Sequence, residues 1–388
     1  MHKLPYNLDL ENKEILKALN KANNKLGELN GIVKTLPNPN VILNAVTLGE
    51  AKESSEIENI VTTFDEIYRE IVLKENNLAS KEVVNYRQAM LKGCELVKKN
   101  GFISVNMLVN IHHIIEPEVG GIRKIPGTVI MNTSTGEVLH TPPQNEEEIR
   151  DYLSNLEQYI NYPEIEDYDP IVKMSLIHYQ FESIHPFHDG NGRTGRMLNI
   201  LYLILENKLD LPILYLSKYI NANKNDYYKL LHDIRTNDEH FNDYLMYMIK
   251  GVEWTCDFTI NFINNFNSCL EKASSLTKEK LPQIYSKELV EYLFYDFYTR
   301  NEYLCNHLHI TRNTASKYLK LLCNEGILIE EKVGKNKIYK PKTCEECPVV
   351  RKEKGNYVCG VMKELKCSGG NRLEKLDMWN KCPLSWDK

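Results

Sequence analysis

The sequence predicts a mainly α-helical protein, interrupted once by a small β-hairpin and followed by a smaller helix-and-strand segment and a cysteine-rich tail. Three observations carry this. Apolar residues recur at helical spacing through most of the chain up to about Lys272. Between Gly120 and Pro143 glycines and prolines break that spacing around β-prone residues. Beyond Pro282 helical patterns give way to a strand, a turn and a strand.

From Leu10 to about Thr35 the apolar positions Ile15, Leu16, Leu19, Leu26, Leu29, Ile32 and Val33 keep helical spacing, until Pro37 and Pro39 break it. A second pattern begins near Val41 and carries Ser54 to Asn59. Others cover 62–73, 80–99 and 105–115. Gly120, Gly121, Pro126 and Gly127 then punctuate the chain, Thr128, Val129, Ile130 and Met131 favour a strand, and a turn leads to Val138, Leu139 and His140. Helices resume over 146–160, 170–183, 197–205, 226–235 and 240–255.

Composition narrows the classes. A chain of 388 residues allows two to three domains with an ample core. Mean hydropathy of −0.43 suits a soluble protein, and no stretch reaches the length of a membrane span. The N-terminus lacks the apolar core of a signal peptide. A net charge of −5 gives no global attraction to nucleic acid. Ten cysteines in an unsecreted chain are expected reduced, so a cytoplasmic location is expected. An effector exported without a cleaved signal would read the same.

The most informative stretch is Ile184-His185-Pro186-Phe187-His188-Asp189-Gly190-Asn191-Gly192-Arg193-Thr194-Gly195-Arg196, which runs into an apolar helix. Glycines ahead of a helix free backbone N–H groups for an anion, and the helix dipole favours negative charge there. Arg193 and Arg196 supply guanidinium forks suited to phosphate oxygens. Asp189 is a hard oxygen ligand of the kind magnesium takes, and His185 is placed to accept a proton near neutral pH. A lone Gly-x-Gly-x-x-Gly would be weak, but a bland helix cap needs no histidine, aspartate and arginine pair beside it.

The run resembles the signature of the Fic family, His-Pro-Phe-x-Asp-Gly-Asn-Gly-Arg-x-x-Arg, at every defining position. The resemblance implies an all-helical core with a β-hairpin flap, and transfer of AMP from ATP to a hydroxyl side chain of a target protein. It implies His185 as general base and Asp189 as the Mg²⁺ ligand. Gly190, Asn191 and Gly192 would line the anion hole, with Thr194 and Gly195 in the same nucleotide-binding segment. Arg193 would bind the leaving pyrophosphate and Arg196 the γ-phosphate. Tyr227, beside Tyr228, falls where relatives place a tyrosine against the adenine, although a helical tyrosine is as readily core packing.

Two further stretches sharpen the resemblance. Ser54-Ser55-Glu56-Ile57-Glu58-Asn59 resembles the family's inhibitory motif, placed N-terminal to the signature. It implies Glu58 paired with Arg196 in the γ-phosphate's place, with Ser54 as the motif's hydroxyl residue. Breaking a buried pair of this kind costs ~3–5 kcal/mol. The alternative is one more glutamate on a solvated helix face. The hairpin from Arg123 to Pro143 resembles the flap that aligns a target's main chain by strand addition, with Thr128, Val129 and Ile130 as its edge. Its Ile130-Met131-Asn132 departs from the commoner Ile-Gly-Gly ending.

Toward the C-terminus, helical patterns at Leu289–Phe297, Asn301–Leu308 and 311–322, the last capped by Thr311, precede strands around a Gly334-Lys335-Asn336 turn. That order resembles a winged helix-turn-helix. Arg312, Lys317, Lys320, Lys335 and Lys337 suit phosphates, but the local charge is only mildly basic, and DNA and protein contacts stay equally open. In the tail, Cys344, Cys347, Cys359 and Cys382 are a candidate Zn²⁺ set, against the alternative of free thiols. The expected domains are a helical region with the inhibitory helix over 1–100, the Fic core over 101–275, the winged helix over 280–341 and the tail over 342–388.

The expected function is an autoinhibited protein adenylyltransferase using ATP and Mg²⁺. The alternatives are AMP removal or another nucleotide-derived transfer on the same scaffold, and a DNA-binding regulator with the core as nucleotide sensor. A target protein is the expected partner, no membrane is expected, and self-association stays open.

Overall fold

The structure is a computed structural model and describes residues 2–6, 8–36, 38–118, 120–131, 136–293, 299–333, 336–341, 350–353, 356–359 and 366–367, with backbone alone from residue 340 on. Helices α1 (Lys13–Lys34), α2 (Pro39–Ile57), α3 (Phe64–Leu73), α4 (Leu78–Asn100) and α5 (Val105–Ile115) precede an antiparallel hairpin, β1 (Ile130–Met131) and β2 (Val138–His140). Then come α6 (Glu146–Asn161), α7 (Pro170–Ile184), α8 (Asn191–Leu205), α9 (Leu216–Ala222), α10 (Lys224–Thr236) and α11 (Phe241–Lys280). The chain continues through α12 (Lys287–Leu293), α13 (Asn301–Leu308), α14 (Arg312–Asn324), β3 (Leu328–Val333) and β4 (Asn336–Pro341). It divides into two compact units, residues 1–37, 46–61 and 81–259, and residues 38–45, 62–80 and 260–388.

The first unit is built around α7 and α8. Every residue from Ile171 to Ile184 is buried, and so is nearly all of α8. A helix that is enclosed all round needs polar residues only where partners wait for them. Within α7, Ser175 donates back to the Ile171 carbonyl (2.8 Å), and the His178 ring pairs with Tyr227 (2.7 Å). Asp169 caps α7 by accepting from Ile171 N (2.8 Å), with Pro170 in the first turn, where its missing N–H costs nothing. On α1, Asn12 caps the start, and the buried stripe Ile15, Leu19, Ala22, Leu26, Leu29 and Val33 is the spacing read from the sequence. Leu16, part of that apolar pattern, lies half exposed on the other face.

The hairpin is shorter than its β-prone run. Ile130 pairs with His140 and Met131 with Val138, across a register shift. Thr128 and Val129 therefore precede β1 rather than belonging to it. Asn132 lies outside the described residues.

In the second unit, Leu289, Tyr292, Leu293, Leu304, Ala315, Leu319, Leu322, Leu328 and Tyr339 form one apolar cluster. The strands pair antiparallel from Leu328 with Pro341 to Val333 with Asn336. Three helices and a hairpin thus follow in the expected order. Residues 294–298 and the turn residues Gly334 and Lys335 lie outside the described residues, as do Cys344, Cys347 and Cys382 and the side chain of Cys359. Arg69 of α3 joins Asp65 (2.7 Å) and Glu331 within this unit.

Thr311 accepts from Thr314 N at 3.3 Å as the cap of α14. Thr311→Ala is expected to lower the unfolding free energy by about 1 kcal/mol, read as a shift of the urea midpoint, whereas Thr311→Asp keeps it within a few tenths.

Candidate active site

The signature folds as a break between two buried helices. His185 ends α7 in the left-handed region (φ 49°), where its N–H donates to the Phe181 carbonyl at 3.0 Å. Gly190 takes φ 72° and opens α8. A Cβ there would meet the Glu116 and His112 side chains at 3.0 and 3.4 Å, so glycine is required by both conformation and space. Asn191 closes the loop on itself: Phe187 N donates to its Oδ1 and its Nδ2 donates to the Phe187 carbonyl, both at 2.8 Å. Phe187 is buried and stacked on His112 with ring centres 3.7 Å apart. His112 in turn meets the Asp189 carbonyl through Nε2 (2.8 Å), and burial holds this imidazole below its ordinary range.

This geometry corrects several expected roles. The Asn191 amide is spent on the loop, so what Asn191, Gly192 and Arg193 present to an anion is their first-turn N–H groups. Thr194 faces inward, its hydroxyl donating to the Gly190 carbonyl (2.8 Å). Gly195 faces α7, where a Cβ would fall 2.4 Å from Glu182 Oε1. Tyr227 is 1% exposed with its hydroxyl on His178, so it has no free face for a base; its neighbour Tyr228 has 41% exposure.

Both signature arginines are buried and both are paired. Arg196 donates through Nε to Ser54 Oγ (2.9 Å), and through Nη2 to the Ser54 carbonyl (2.8 Å) and Glu58 Oε1 (2.7 Å). The Glu58 carboxylate sits over the start of α8: a Cβ on Gly192 would lie 2.2 Å from its Oε1. Burial opposes ionisation of Glu58, but the Arg196 guanidinium outweighs it and holds the carboxyl below the usual range. Behind this pair, Glu50 accepts from Ser217 N (2.9 Å) and from its hydroxyl, and burial pushes the Glu50 carboxyl up to about 7. Lys218 and Asn221 hold Glu53 of the same helix at 3.0 and 2.7 Å. Arg193 lies between Glu82 (2.9 Å) and Glu116, with Asp189 at 3.8 Å.

Asp189 is the open carboxylate of the site, 73% exposed, with Oδ1 accepting from Gly190 N at 2.6 Å. Among the described residues no group of three metal-ligating side chains occurs. One exposed carboxylate suits Mg²⁺ shared with substrate phosphates, because that ion keeps most of its waters. His185 is half-buried, and burial together with the Arg123 and Arg235 charges holds its imidazole down to about 4, well below the near-neutral value expected from an ordinary histidine. It is therefore unprotonated at neutral pH.

Sequence reasoning missed Glu82, Glu116, His112 and Arg123. His112 and Glu116 are four apart, which places them on one face of a helix. Nothing in that spacing says that the face meets the signature. It also missed Glu182, which is buried beside Gly195 with Oε1 lacking a hydrogen-bond partner; burial pushes its carboxyl up to about 7. A raised carboxyl binds its proton in the folded state where the unfolded chain has lost it, so stability falls as pH rises from about 4.5 to about 7. Glu182→Gln removes that slope. Its urea midpoint relative to the parent is expected to rise across this window and to level off above it.

The chain is similar to known proteins in sequence and fold. The Fic/DOC family N-terminal profile matches residues 16–95, the Fic/DOC family profile residues 102–203, and that of the C-terminal domain of SoFic-like protein adenylyltransferases residues 269–343. The protein adenylyltransferase Fic of Aedes aegypti is 30% identical over 103 residues, 26% of this chain and 20% of that protein. That of Culex quinquefasciatus is 32% identical over 103 residues, with the same coverage of 26% and 20%. The chain thus spans about a fifth of the length of these curated relatives. A Fic family protein of Desulfovibrio desulfuricans G20 has the same fold, with a TM-score of 0.55 over 88% of this chain and 98% of that one at 15% identity. With the signature complete, the Fic/DOC profile matched across it and the N-terminal and SoFic-like C-terminal profiles matched before and after it, the chain belongs to the Fic/DOC family.

Proposed function

We propose that this chain is a protein adenylyltransferase that transfers AMP from ATP to a Tyr, Thr or Ser hydroxyl of a target protein, and that its own Glu58 holds it inactive. The observation that carries the reading is the Glu58 carboxylate at the start of α8, bonded to Arg196 at 2.7 Å. A helix N-terminus next to a buried arginine is a phosphate seat, and an internal carboxylate occupies it. The named activity of the mosquito relatives supports the same reading.

In this mechanism His185 takes the proton from the target hydroxyl, and the resulting oxygen attacks the α-phosphorus of ATP. The bond between the α-phosphorus and the bridging oxygen breaks, and pyrophosphate leaves. The first-turn N–H groups of α8 face the charge that builds on the phosphoryl oxygens. Arg196, once freed from Glu58, binds the γ-phosphate, and Arg193 the leaving group. Both arginines exchange carboxylate partners for phosphate, so their charge never stands unpaired in the interior. Asp189 would hold Mg²⁺, which neutralises phosphate charge when bound. Thr128, Val129 and Ile130, beside the exposed Met131 and Val138, offer a target main chain the edge of the hairpin. The helices and hairpin of the second unit we read as a winged helix, and the need for ATP and a protein target fits a cytoplasmic protein.

Incubation with ATP labelled in the α-phosphate and Mg²⁺ tests this. Weak self-labelling is expected from the parent, at least about tenfold faster labelling from Glu58→Gly, equivalent to ~1.4 kcal/mol or more of barrier, and none from Glu58→Gly carrying His185→Ala. No transfer by Glu58→Gly would sink the proposal.

A further inference from the structure

The flap and the candidate base are tied to each other by one buried side chain. Arg123 is 1% exposed and has no carboxylate at ion-pair distance among the described residues. Instead its guanidinium serves main-chain carbonyls. Nε donates to His185 O (2.8 Å), and Nη2 donates to Pro143 O and, at 3.4 Å, to Ile184 O. The Arg123 N–H donates to Pro186 O (2.9 Å), and the preceding Ile122 bridges to Phe187. The two carbonyls at the end of α7 are groups that the helix itself leaves without donors, and a cation there suits the dipole. Burying a cation is costly, and the Glu148 charge that acts on Arg123 stands beyond ion-pair distance, so this many carbonyl contacts on one guanidinium mark a built arrangement.

The flap needs such an anchor. Among the described residues its ladder is Ile130–Met131 against Val138–His140 with a register shift, and a two-stranded pair this short gains from an anchor. Its base is closed by Gln144, which accepts from Gly127 N (2.7 Å) and donates to the carbonyls of Thr128 (2.9 Å) and Pro142 (2.6 Å). His140 of β2 donates through Nε2 to Ser183 O (2.8 Å). Entry and exit of the flap thus converge on the last turn of α7, and Arg123 grips both them and the backbone of His185.

We infer that Arg123 is a positioning residue that sets His185 and the flap in one fixed relation, so that a main chain held on the flap delivers its hydroxyl to the imidazole. This rests on the reading of His185 as the base. Arg123 touches no reacting atom; it acts through the His185 carbonyl and the Pro143 carbonyl. Its charge has a second effect, since with burial it keeps the His185 ring from protonating.

The test uses the full chain in the Glu58→Gly background, with Arg123→Gln and Arg123→Lys. Lysine keeps the charge and loses the fork, so it is the milder change should glutamine unfold the chain. Both variants are expected to bind ATP within about twofold of the parent by calorimetry, yet to label themselves from α-labelled ATP roughly ten- to a hundredfold more slowly, the size of one or two lost charge-assisted hydrogen bonds. The acid limb of the rate, and the His185 ring titration followed by NMR without nucleotide, are expected to move up in Arg123→Gln and to stay in Arg123→Lys. Unchanged labelling in both variants overturns the inference. So does a loss of labelling in Arg123→Lys that only follows lost ATP binding or lost folded fraction, because a purely structural arginine would give that. Should the Glu58→Gly parent take no label, the adenylyltransferase reading falls. Amide hydrogen exchange then decides the inference by itself: Gly127 and His185 amides as protected in Arg123→Gln as in the parent overturn it.

Discussion

The two hydrogen bonds between the Asn191 amide and the backbone of Phe187 are what the rest of the site depends on. They close a five-residue loop between helices that are otherwise continuous in their burial. With the loop closed, Phe187 stacks on His112, the Asp189 carbonyl is met by the same ring, and α8 starts at Asn191. Glycine at 190 permits the turn, but the amide makes it a single conformation. The loop thereby fixes His185 at the end of α7 on one side and the first turn of α8 on the other.

Charge balance is the second constraint. Two arginines sit at 2% exposure within one turn of each other, and the fold answers with Glu58, Glu82 and Glu116. These carboxylates neutralise the two guanidinium groups, and each is on a different helix or helix end from the signature. Autoinhibition, on the proposed reading, follows from this requirement: an empty phosphate seat this deeply buried cannot stay uncompensated, so a carboxylate fills it. The helix that brings Glu58 is itself held by Glu50 on Ser217 and by Glu53 on Lys218 and Asn221, so the Glu58–Arg196 contact is part of a wider polar docking.

The second unit follows simpler rules. Its helices present single apolar stripes, Leu289 and Leu293 on α12, Ala315, Leu319 and Leu322 on α14, that meet over one cluster and are covered by the β3–β4 hairpin. Such amphipathic periodicity is visible in any single stretch, which is why this part of the chain reads well from spacing alone.

What the sequence determined by itself was the mainly helical class, the place of the hairpin, and the family signature as a contiguous stretch with Glu58 upstream. Those are local properties: turn chemistry, capping and periodicity act over a few residues and leave their mark in order. Tertiary structure alone decided who faces whom. Arg193 meets Glu116 and Glu82 across 77 and 111 residues, Arg196 meets Ser54 across 142, and Arg123 reaches His185 across 62. Thr194, Gly195 and Tyr227 sit in the right stretch yet turn into the core, because in helices enclosed on every side the direction of a side chain is set by its packing neighbours and not by its place in a motif. The same burial lowers His185 and raises Glu182, shifts that depend on how much water each group has lost, a quantity that exists only once the chain has folded.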